Sequence, residues 1–476
     1  MSDATIDTAI IGGTIATEEG LFPASVGIDD GRIVAVGDAE TLPAARESID
    51  ARGKIVMPGV VDVHVHFREP GMTHKEDWGT GSAAAALGGV TTVFEMPNTD
   101  PPVDTIEHFE IKKAFAEASS HVDFGIYGLL GEHNLDQLPA LAEAGVCGYK
   151  LFLGNTTGDL PCPSDGAVLE GFEILAELGL RCTIHAENSP ILFWRQNKMI
   201  AAGRRDPYAH LAARTDVVAV EALNRSAIFA EWTGARIHIA HESCAASLPF
   251  IRFFKARGVD MTVETLPQYL YLNAESMLEP GGEVIRMNPP IRQKANQAPL
   301  WEGLSDGSID MISTDHAPHA RSEKYGDDIW KIACGFPGVQ TSLPLMLDAV
   351  SKGRLSMPDC VRLMCGAAAR AFGLYGVKGV IRPGADADIV MVDPDATLVL
   401  RSEDLASRGK VLPYEGWEVN GKPVLTMLRG KTVAKEGVMV GQAGFGRMVS
   451  PSMPAPLPRN TATTIKASLQ HRQQPW

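Results

Sequence analysis

The sequence lacks several features that would assign it to a membrane, secreted or disulfide-stabilised class. Its seven cysteines are scattered, odd in number and free of any C-x-x-C pair, which is typical of a reduced cytosolic protein. No apolar run reaches the about 18 residues of a membrane span. The opening stretch "MSDATIDTAIIGG" has no basic segment followed by an apolar one, so no signal peptide is expected. We therefore predict a cytoplasmic protein without a membrane segment.

Positive charge is also scarce. The formal net charge is -15, from 43 Lys and Arg against 58 Asp and Glu, which argues against a nucleic-acid or anionic-membrane partner. The phosphate-loop pattern G-x-x-x-x-G-K-[ST] is absent, so "GGTIAT" and "LGGV" are expected at strand turns. What is present is a 476-residue chain with 45% hydrophobic residues. That length predicts a large globular domain with a smaller one beside it.

Both ends of the chain carry short strand patterns separated by tight turns. "TAIIGGTIAT" and "ASVGIDDGRIVAVG" near the start contain hairpin signals, and "GADADIVMVDPDATLVL" near the end has a similar texture. The sequence therefore predicts one small β-sandwich-like domain, built from residues 1–56 and 376–445. The Pro- and polar-rich residues 446–476 are expected to form an extended or partly disordered C-terminal extension.

The middle of the chain, residues 57–375, alternates short apolar runs with helical patterns. The eight runs are "GVVDVHVHF", "GVTTVFEMPN", "VDFGIYGLL", "GVCGYKLFLG", "LRCTIHAEN", "ARIHIAHES", "VDMTVETLP" and "IDMISTDHAPH". This alternation predicts a (β/α)8 TIM barrel of the α/β class, with a doubly wound open sheet as the alternative. Polar residues gather at the carboxyl ends of the runs. Only a barrel brings all of these ends to one axis, so the barrel is favoured.

Histidines and one aspartate at the strand ends indicate a metal site. These residues are His64, His66, His185, His241 and Asp315. His64 and His66 share one face of the first strand because side chains alternate along a strand. Imidazole and carboxylate groups suit zinc or a similar first-row ion. His238 lies on the sixth strand too, but alternation places it on the face opposite His241.

Lys150, in the fourth run, does not fit this set as an ordinary ammonium group, because a cation repels a metal ion. One interpretation is a lysine that extends to solvent at the barrel rim. The other is that its amine has reacted with carbon dioxide to form an anionic carbamate with two oxygens. That reaction needs the neutral amine, which burial and nearby cations favour.

Together these motifs resemble the amidohydrolase superfamily, in the cyclic amidase branch of dihydroorotases, allantoinases and hydantoinases. The resemblance covers nearly the whole chain and implies two zinc ions per subunit. The implied ligands are His64, His66 and Asp315 for one ion, and His185 and His241 for the other. The resemblance also implies that an N6-carboxylated Lys150 and a hydroxide bridge the ions, and that Asp315 is the general base and acid. Members of this branch are commonly homodimers or homotetramers, so we expect the same here.

Further residues bear on which ring is opened. Arg68, in "HFREPG", lies two residues beyond His66, and a guanidinium group matches a carboxylate. In dihydroorotases, residues matching Arg68, Asn98 and His319 hold the carboxylate of the ring, and Asn288, in "MNPPIR", contacts the ring. The resemblance therefore predicts a zinc-dependent dihydroorotase of pyrimidine biosynthesis, which interconverts dihydroorotate and N-carbamoyl-aspartate. Its partner would be a small cyclic amide that bears a carboxylate.

Two departures keep other substrates open. Hydantoinases and dihydropyrimidinases have a tyrosine facing the reacting carbonyl where this chain has Asn155, and many longer bacterial dihydroorotases have an aspartate in place of Lys150. Allantoinase, or a hydantoinase/dihydropyrimidinase-like hydrolase, is therefore the alternative. A non-catalytic scaffold homologue is a further alternative, although every ligand position is kept. A deaminase is less favoured, because a lysine-bridged metal pair suits hydrolysis of cyclic amides.

Overall fold

A computed structural model of the chain describes residues 5–158, 160–279 and 281–452. In chain order its strands are β1 (Ile6–Ala16), β2 (Leu21–Asp29), β3 (Arg32–Gly37), β4 (Ala45–Asp50), β5 (Ile55–Pro58), β6 (Val60–Val65), β7 (Val90–Glu95), β8 (Asp123–Ile126), β9 (Gly128–Leu129), β10 (Tyr149–Phe152), β11 (Arg181–His185), β12 (Arg236–Ile239), β13 (Met261–Thr265), β14 (Met311–Ile312), β15 (Ile389–Val399), β16 (Glu418–Leu428), β17 (Lys431–Lys435) and β18 (Val438–Met439). Its helices are α1 (Trp78–Leu87), α2 (Ile106–Ser119), α3 (Leu138–Ala144), α4 (Asp165–Leu178), α5 (Ser189–Ala201), α6 (Pro207–Ala213), α7 (Asp216–Thr233), α8 (Leu248–Ala256), α9 (Pro267–Tyr271), α10 (Gln297–Asp306), α11 (Ser342–Ser351), α12 (Met357–Val361) and α13 (Ala367–Ala371).

Strands from the two ends of the chain form one sheet. Within the described residues it has nine strands, in the order β18-β17-β16-β15-β5-β1-β2-β3, with β4 paired to β1. The two halves join where β5 runs antiparallel to β15, with Val56 opposite Met391. Ile10, Ile28 and Val56 belong to the buried apolar cluster of this sheet. The predicted β domain built from both chain ends is confirmed.

Strands β6 to β14 form a closed barrel of parallel strands. They pair as β6-β7-β8 and as β9-β10-β11-β12-β13-β14, and β8 and β9 are two parts of one strand separated by Tyr127. The barrel closes where the backbone N–H of His66 donates to the carbonyl of His316 at 2.7 Å, next to a parallel bridge between Val65 and His316. The predicted (β/α)8 barrel is confirmed, and all eight predicted runs supply its strands.

Local sequence explains where the surrounding helices begin and end. Helix α1 starts after Asp77, whose carboxylate accepts the backbone N–H of Thr80 at 2.8 Å. Helix α4 starts after Ser164, which caps it in the same way, and ends at Gly179 with a φ of 72°, a conformation that favours glycine. The helices return the chain so that every barrel strand points the same way. Residues that follow the strands therefore meet at one end of the barrel.

The end of the described chain lies against the barrel. The backbone N–H of Phe124 donates to the carbonyl of Arg447 at 3.0 Å, and the N–H of Val449 donates to the carbonyl of Phe124 at 2.8 Å. The remainder of the predicted extension lies outside the described residues. The exact domain limits given above stay a proposal. In the part of the chain that the structure describes, no helix is long and apolar enough to cross a membrane.

Candidate metal centre

The first group of candidate ligands lies where β6 and β14 end. His64 belongs to β6, His66 follows it, and Asp315 follows β14 with a φ of 45°. The Nε2 atoms of His64 and His66 lie 3.3 and 3.1 Å from the same oxygen, Oδ1 of Asp315. All three side chains are buried, and their ligand atoms lie within 4.8 Å of one another. Two imidazole nitrogens and a carboxylate oxygen in this arrangement could hold one metal ion.

The second group lies beside the first. Nδ1 of His185, at the end of β11, is 3.0 Å from Nε2 of His241, which follows β12. The ring centroids of His241 and His64 are 5.1 Å apart, so the two groups share one wall of the barrel mouth. The structure therefore brings together the four histidines and the aspartate that the sequence singles out.

Lys150 lies in the same pocket as both groups. Its side chain is fully buried, and its Nζ has no hydrogen-bond partner among the described residues. Burial lowers the pKa of Lys150 to about 8, although the carboxylates of Glu264 and Asp315 act in the opposite direction. A buried amine without a partner costs free energy. Conversion of this amine to a carbamate facing metal ions would remove that cost.

The outward-facing nitrogens of three ligands are held by the protein. The pairs are His64 Nδ1 with Glu264 Oε1 at 2.5 Å, His66 Nδ1 with Asn98 Oδ1 at 2.9 Å, and His185 Nε2 with Glu187 Oε2 at 2.8 Å. An acceptor on the outer nitrogen fixes the proton there and leaves the inner nitrogen free to bind a metal. The residues therefore fit a two-ion centre, by their donor types and by the direction in which each donor faces.

Glu264 is a site residue that the sequence analysis missed. It is fully buried on β13 and accepts hydrogen bonds from His64, from Nε2 of His238 at 3.1 Å and from the backbone N–H of His241 at 3.0 Å. Burial alone would raise its pKa, but His64 and His238 hold the pKa of Glu264 well below its ordinary range. The available signal was a glutamate inside the apolar run "VDMTVETLP". Such a buried charge needs partners.

Glu187 is the second missed residue. It is buried just after β11, and the same oxygen that accepts from His185 also accepts a hydrogen bond from Nη1 of Arg214. Burial would raise the pKa of Glu187, but Arg214 and His185 lower it below the usual value. Sequence spacing gave no signal for this pair, because Arg214 lies on a different segment of the chain.

The three residues predicted to hold a substrate carboxylate differ in their relation to the pocket, although Nη2 of Arg68 lies 3.4 Å from Nε2 of His319. Arg68 is buried and lines the pocket, and its Nη1 has no hydrogen-bond partner among the described residues. Asn98 instead uses its oxygen on His66 and its amide N–H on the carbonyl of Thr157. Nε2 of His319 lies 3.0 Å from the carbonyl of Cys334. Only Arg68 of the three lines the pocket.

The rest of the pocket wall is largely polar. Asn288 lines it, and its Oδ1 lies 2.9 Å from Nε2 of His210. Thr156 and Thr157 line the side formed by the segment after β10, with Cys334 nearby. Phe152 and Ala317 supply the apolar part of the wall. Such a wall offers hydrogen bonds to a small polar ligand beside the candidate ions.

The fold and the ligand set define the class of the protein. Residues 55–433 match the Amidohydrolase family, and the chain belongs to that family. It is 39% identical to an allantoinase of Rubrobacter xylanophilus over 452 residues, 94% of this chain and 98% of the relative. It is 35% identical to an L-hydantoinase of Paenarthrobacter aurescens over 443 residues, 92% and 96% of the two chains. The solved L-hydantoinase (dihydropyrimidinase) from Arthrobacter aurescens superposes with a TM-score of 0.91 at 34% identity, covering 94% of this chain and 100% of that one.

These comparisons confirm the cyclic amidase branch and correct the predicted activity. The dihydroorotase prediction, with its role in pyrimidine biosynthesis, is wrong, because relatives that match over nearly the whole chain are named allantoinase or hydantoinase. The physical reason lies in the wall just described. The amide of Asn98 is occupied by protein groups, and His319, although its Nε2 lies 3.4 Å from Nη2 of Arg68, does not line the pocket, so of the three predicted residues only Arg68 faces the space beside the candidate ions.

Proposed function

We propose that the protein is an allantoinase, which opens the five-membered ring of allantoin by hydrolysis of a ring amide. The observation that carries the proposal is the polar pocket above the paired ligand groups, in a chain 39% identical to an allantoinase. Allantoin carries a urea group on its ring, and such a substituent needs hydrogen-bond partners. Arg68, Asn288, Thr156 and Thr157 line the pocket and would provide them.

We further propose that the centre holds two zinc ions and that Lys150 is N6-carboxylated. The residues that would hold the ions are His64, His66, His185, His241, Asp315 and the carbamate of Lys150. When bound, such ions supply hydroxide at neutral pH and polarise a carbonyl group. The inward-facing nitrogens of the histidines and the unpartnered Nζ of Lys150 support this assignment.

The proposed reaction adds water across one C–N bond of the ring. A bond forms between the water oxygen and the ring carbonyl carbon, and the bond from that carbon to the ring nitrogen breaks. Asp315 takes the proton of the water at Oδ2, because Oδ1 faces the imidazoles of His64 and His66, and delivers it to the departing nitrogen. The product gains a carboxylate, and Arg68 is a cation on the pocket wall that can bind it.

An L-hydantoinase is the second candidate, and a second pocket favours it. This pocket shares Phe152 with the first, and its wall is more apolar, with Leu129, Leu130 and Pro161 on one part and polar residues such as Glu132 on another. An apolar substituent on a hydantoin ring could pack against the leucines and prolines of this wall. The predicted homodimer or homotetramer and the cytoplasmic location stay predictions for either activity.

Ring-opening assays with the zinc-loaded protein test the proposal. We expect the highest kcat/KM with allantoin, compared with 5-benzylhydantoin, dihydrouracil and dihydroorotate. Chelation should abolish the activity and zinc should restore it, while Asp315→Asn should lower kcat by at least about 100-fold. A preference for 5-benzylhydantoin would favour the second candidate. Activity that survives complete metal removal, or no ring opening of any of these compounds, would refute both.

A further inference from the structure

The segment of residues 154–158, "GNTTG", connects two parts of the candidate site. It follows β10, the strand that carries Lys150. Its two threonines, Thr156 and Thr157, line the pocket. Its backbone accepts hydrogen bonds from Asn98, which holds the outer nitrogen of His66, and from Arg214, which bonds the carboxylate that holds the outer nitrogen of His185. These two histidines belong to different ligand groups, so the segment contacts both halves of the candidate centre through intermediates.

The first connection runs through Asn98. Its amide N–H donates to the carbonyl of Thr157 at 2.8 Å, and its Oδ1 lies 2.9 Å from Nδ1 of His66. Asn98 is 2% exposed, so water does not compete with either bond. Since one amide group makes both contacts, a rotation of the His66 ring and a displacement of the segment cannot occur independently.

The second connection runs through Arg214 and Glu187. Nη2 of Arg214 donates to the carbonyl of Asn155 at 3.0 Å, and Nη1 donates to Glu187. Glu187 in turn lies 2.8 Å from Nε2 of His185. Arg214 is 4% exposed and Glu187 is fully buried. The planar guanidinium fixes both of its bonds at once, so it joins the segment to the orientation of His185.

The packing at Gly154 adds a steric contact to the second connection. A Cβ atom at this position would lie 2.7 Å from Cβ of Glu187 and 3.1 Å from Nε2 of His185. The backbone of the segment therefore passes directly over the ring of a candidate metal ligand. A shift of that ring requires a shift of the segment.

We propose that Asn98 and Arg214 are positioning residues that couple the segment 154–158 to the two candidate metal ligands His66 and His185. In the metal-loaded protein the imidazoles are fixed, and through these connections they fix the two threonines that face the substrate. Without metal each ring keeps only its contacts with the protein and loses one anchor, and the segment loosens. The inference rests on the proposed two-zinc centre, and by linkage it also requires that loosening the segment weakens zinc binding.

Two conservative substitutions break the connection to the segment and keep the connection to the histidine. Asn98→Asp retains an oxygen acceptor for His66 but loses the donor to Thr157. Arg214→Lys retains a positive charge beside Glu187, but one ammonium group cannot span Glu187 and the carbonyl of Asn155. A role limited to orienting the histidines would survive both substitutions, so these variants separate the coupling from simple ligand support.

Hydrogen–deuterium exchange of the peptide that contains residues 154–158 tests the coupling. We expect saturating zinc to slow exchange of this peptide in the wild-type protein, and we expect the zinc-dependent difference to fall by at least half in both variants. Zinc affinity, measured by competition with a chelator, should fall threefold to tenfold. An unchanged zinc effect on exchange in the variants, or no zinc effect in the wild-type protein, would overturn the proposal. Failure of Asn98→Asp to bind saturating zinc would overturn it too, because that variant keeps the acceptor for His66.

Asn134→Asp is a matched control. Asn134 also donates its amide to backbone carbonyls, those of Asp104 and Leu129 at 3.1 and 2.9 Å, but these hydrogen bonds do not involve a candidate ligand. Its zinc-dependent exchange difference should equal that of the wild-type protein. The exchange experiment needs no substrate, so its outcome is independent of whether allantoin is the ring that the protein opens.

Discussion

Glu264 accepts hydrogen bonds from His64, from His238 and from the backbone N–H of His241. One buried carboxylate thus orients a ligand from each of the two groups. His238, which the sequence placed on the strand face opposite His241, lies in register with Thr183 and Lys150 on the inner face of the barrel and supplies a further hydrogen bond to Glu264. His241 follows the end of β12, so strand alternation does not reach it. At the scale of single residues, the candidate centre therefore depends on side chains that would not touch a metal ion.

Replacement of Glu264 by glutamine should weaken metal binding while the fold is kept. The amide has the same shape, but it removes a buried negative charge and replaces one acceptor with a donor that faces histidines. We expect zinc affinity to fall about 10- to 100-fold, as is usual when the outer partner of a ligating histidine is lost. Metal content after dialysis against graded chelator would measure the change.

Glu242→Gln is the matched control for that substitution. Glu242 is another buried glutamate of the barrel, and its carboxylate accepts the backbone N–H of Cys244 at 2.6 Å. Burial raises the pKa of Glu242 to about 7, so glutamine imitates the protonated form closely. Equal losses of zinc affinity in the two variants would contradict a specific role for Glu264.

Lys324, which lies outside the candidate metal centre, should make the stability of the fold depend on pH. Lys324 is fully buried, its Nζ donates to the carbonyls of Arg286 and Ala333, and burial lowers its pKa from 10.5 to about 7. Between these values the unfolded chain binds more protons than the folded one. The contribution of Lys324 to the free energy of unfolding therefore rises with pH, by at most about 1.4 kcal/mol per pH unit, and below about pH 7 it is constant.

Urea unfolding of the wild-type protein and of Lys324→Met, at several values from pH 6 to pH 10, would measure this effect. The free energy of unfolding of the wild-type protein, minus that of Lys324→Met, should increase as the pH rises above 7. Parallel pH profiles of the two proteins would show that the folded pKa of Lys324 is not depressed.

The sequence could predict the candidate ligands because each one lies in the carboxyl-terminal half of a strand or just after it, and the barrel pattern fixes the positions of the strands. It could not predict Glu187 and Arg214, since their partners are set by the three-dimensional course of α6. It predicted a substrate contact for Asn98, which stays a prediction, but it could not show that the amide of Asn98 bonds His66 and Thr157, because these partners come from distant segments. Residue type and strand position predict what can bind a metal, whereas specificity depends on which polar groups are already paired.

At the scale of elements, the short segments after the barrel strands carry the chemistry, and close packing limits their sequence. The eight strands were predictable because their runs are short, rich in apolar and β-branched residues, and separated by helical patterns. The exact ends of the strands were harder to predict. Strand β14 covers only Met311–Ile312, whereas the predicted run "IDMISTDHAPH" is much longer. The chain leaves the ladder there, and the residues beyond adopt turns such as the one at Asp315.

Gly154→Ala should damage the centre although the change adds a single methyl group. The added Cβ would lie 2.7 Å from Cβ of Glu187 and 3.1 Å from the ring of His185, so the ring or the segment must shift. We expect zinc affinity to fall by about tenfold, comparable to loss of an outer contact of a ligand. Calorimetric zinc titration of the two proteins would measure it.

Gly166→Ala tests whether that loss is specific. Gly166 lies in α4, where the nearest atom to an added Cβ is Oγ of Ser164 at 3.9 Å. This substitution should leave zinc binding unchanged and stabilise the fold by up to about 1 kcal/mol, because alanine favours the helix. A similar loss of zinc affinity in both glycine variants would contradict the steric argument.

At the scale of the whole molecule, a buried ionic cluster joins the barrel to the sheet made from both chain ends. Nζ of Lys378 lies 2.5 Å from Asp123 of the barrel, and 2.9 and 2.7 Å from Asp386 and Asp388 beside the sheet. Arg429 bonds Asp123 as well. The three carboxylates could hold a metal ion by their spacing alone, but Lys378 already provides the cation between them.

Lys378→Met should destabilise the junction strongly. The substitution leaves buried carboxylates without their shared cation, and removal of one partner from a buried ionic group costs about 3–5 kcal/mol. Denaturant unfolding followed by circular dichroism would measure the loss. Lys422→Met, which removes a partly exposed pair with Glu436, should cost less than about 1 kcal/mol. Equal costs for the two lysines would contradict the role of Lys378 as the centre of the junction.

The pairing of β5 with β15 has a consequence for how the chain is made. Synthesis proceeds from the N-terminus, so β1 to β5 leave the ribosome first, and the whole barrel must follow before Ile389–Val399 arrives to cover β5. Throughout that interval the nascent chain presents an open strand edge, Ile55–Pro58, of the kind that other polypeptides can join. The free edge of β5 is the binding site for β15 of the same chain. Any delay in translation of the later strands therefore lengthens the time during which another polypeptide can pair with that edge.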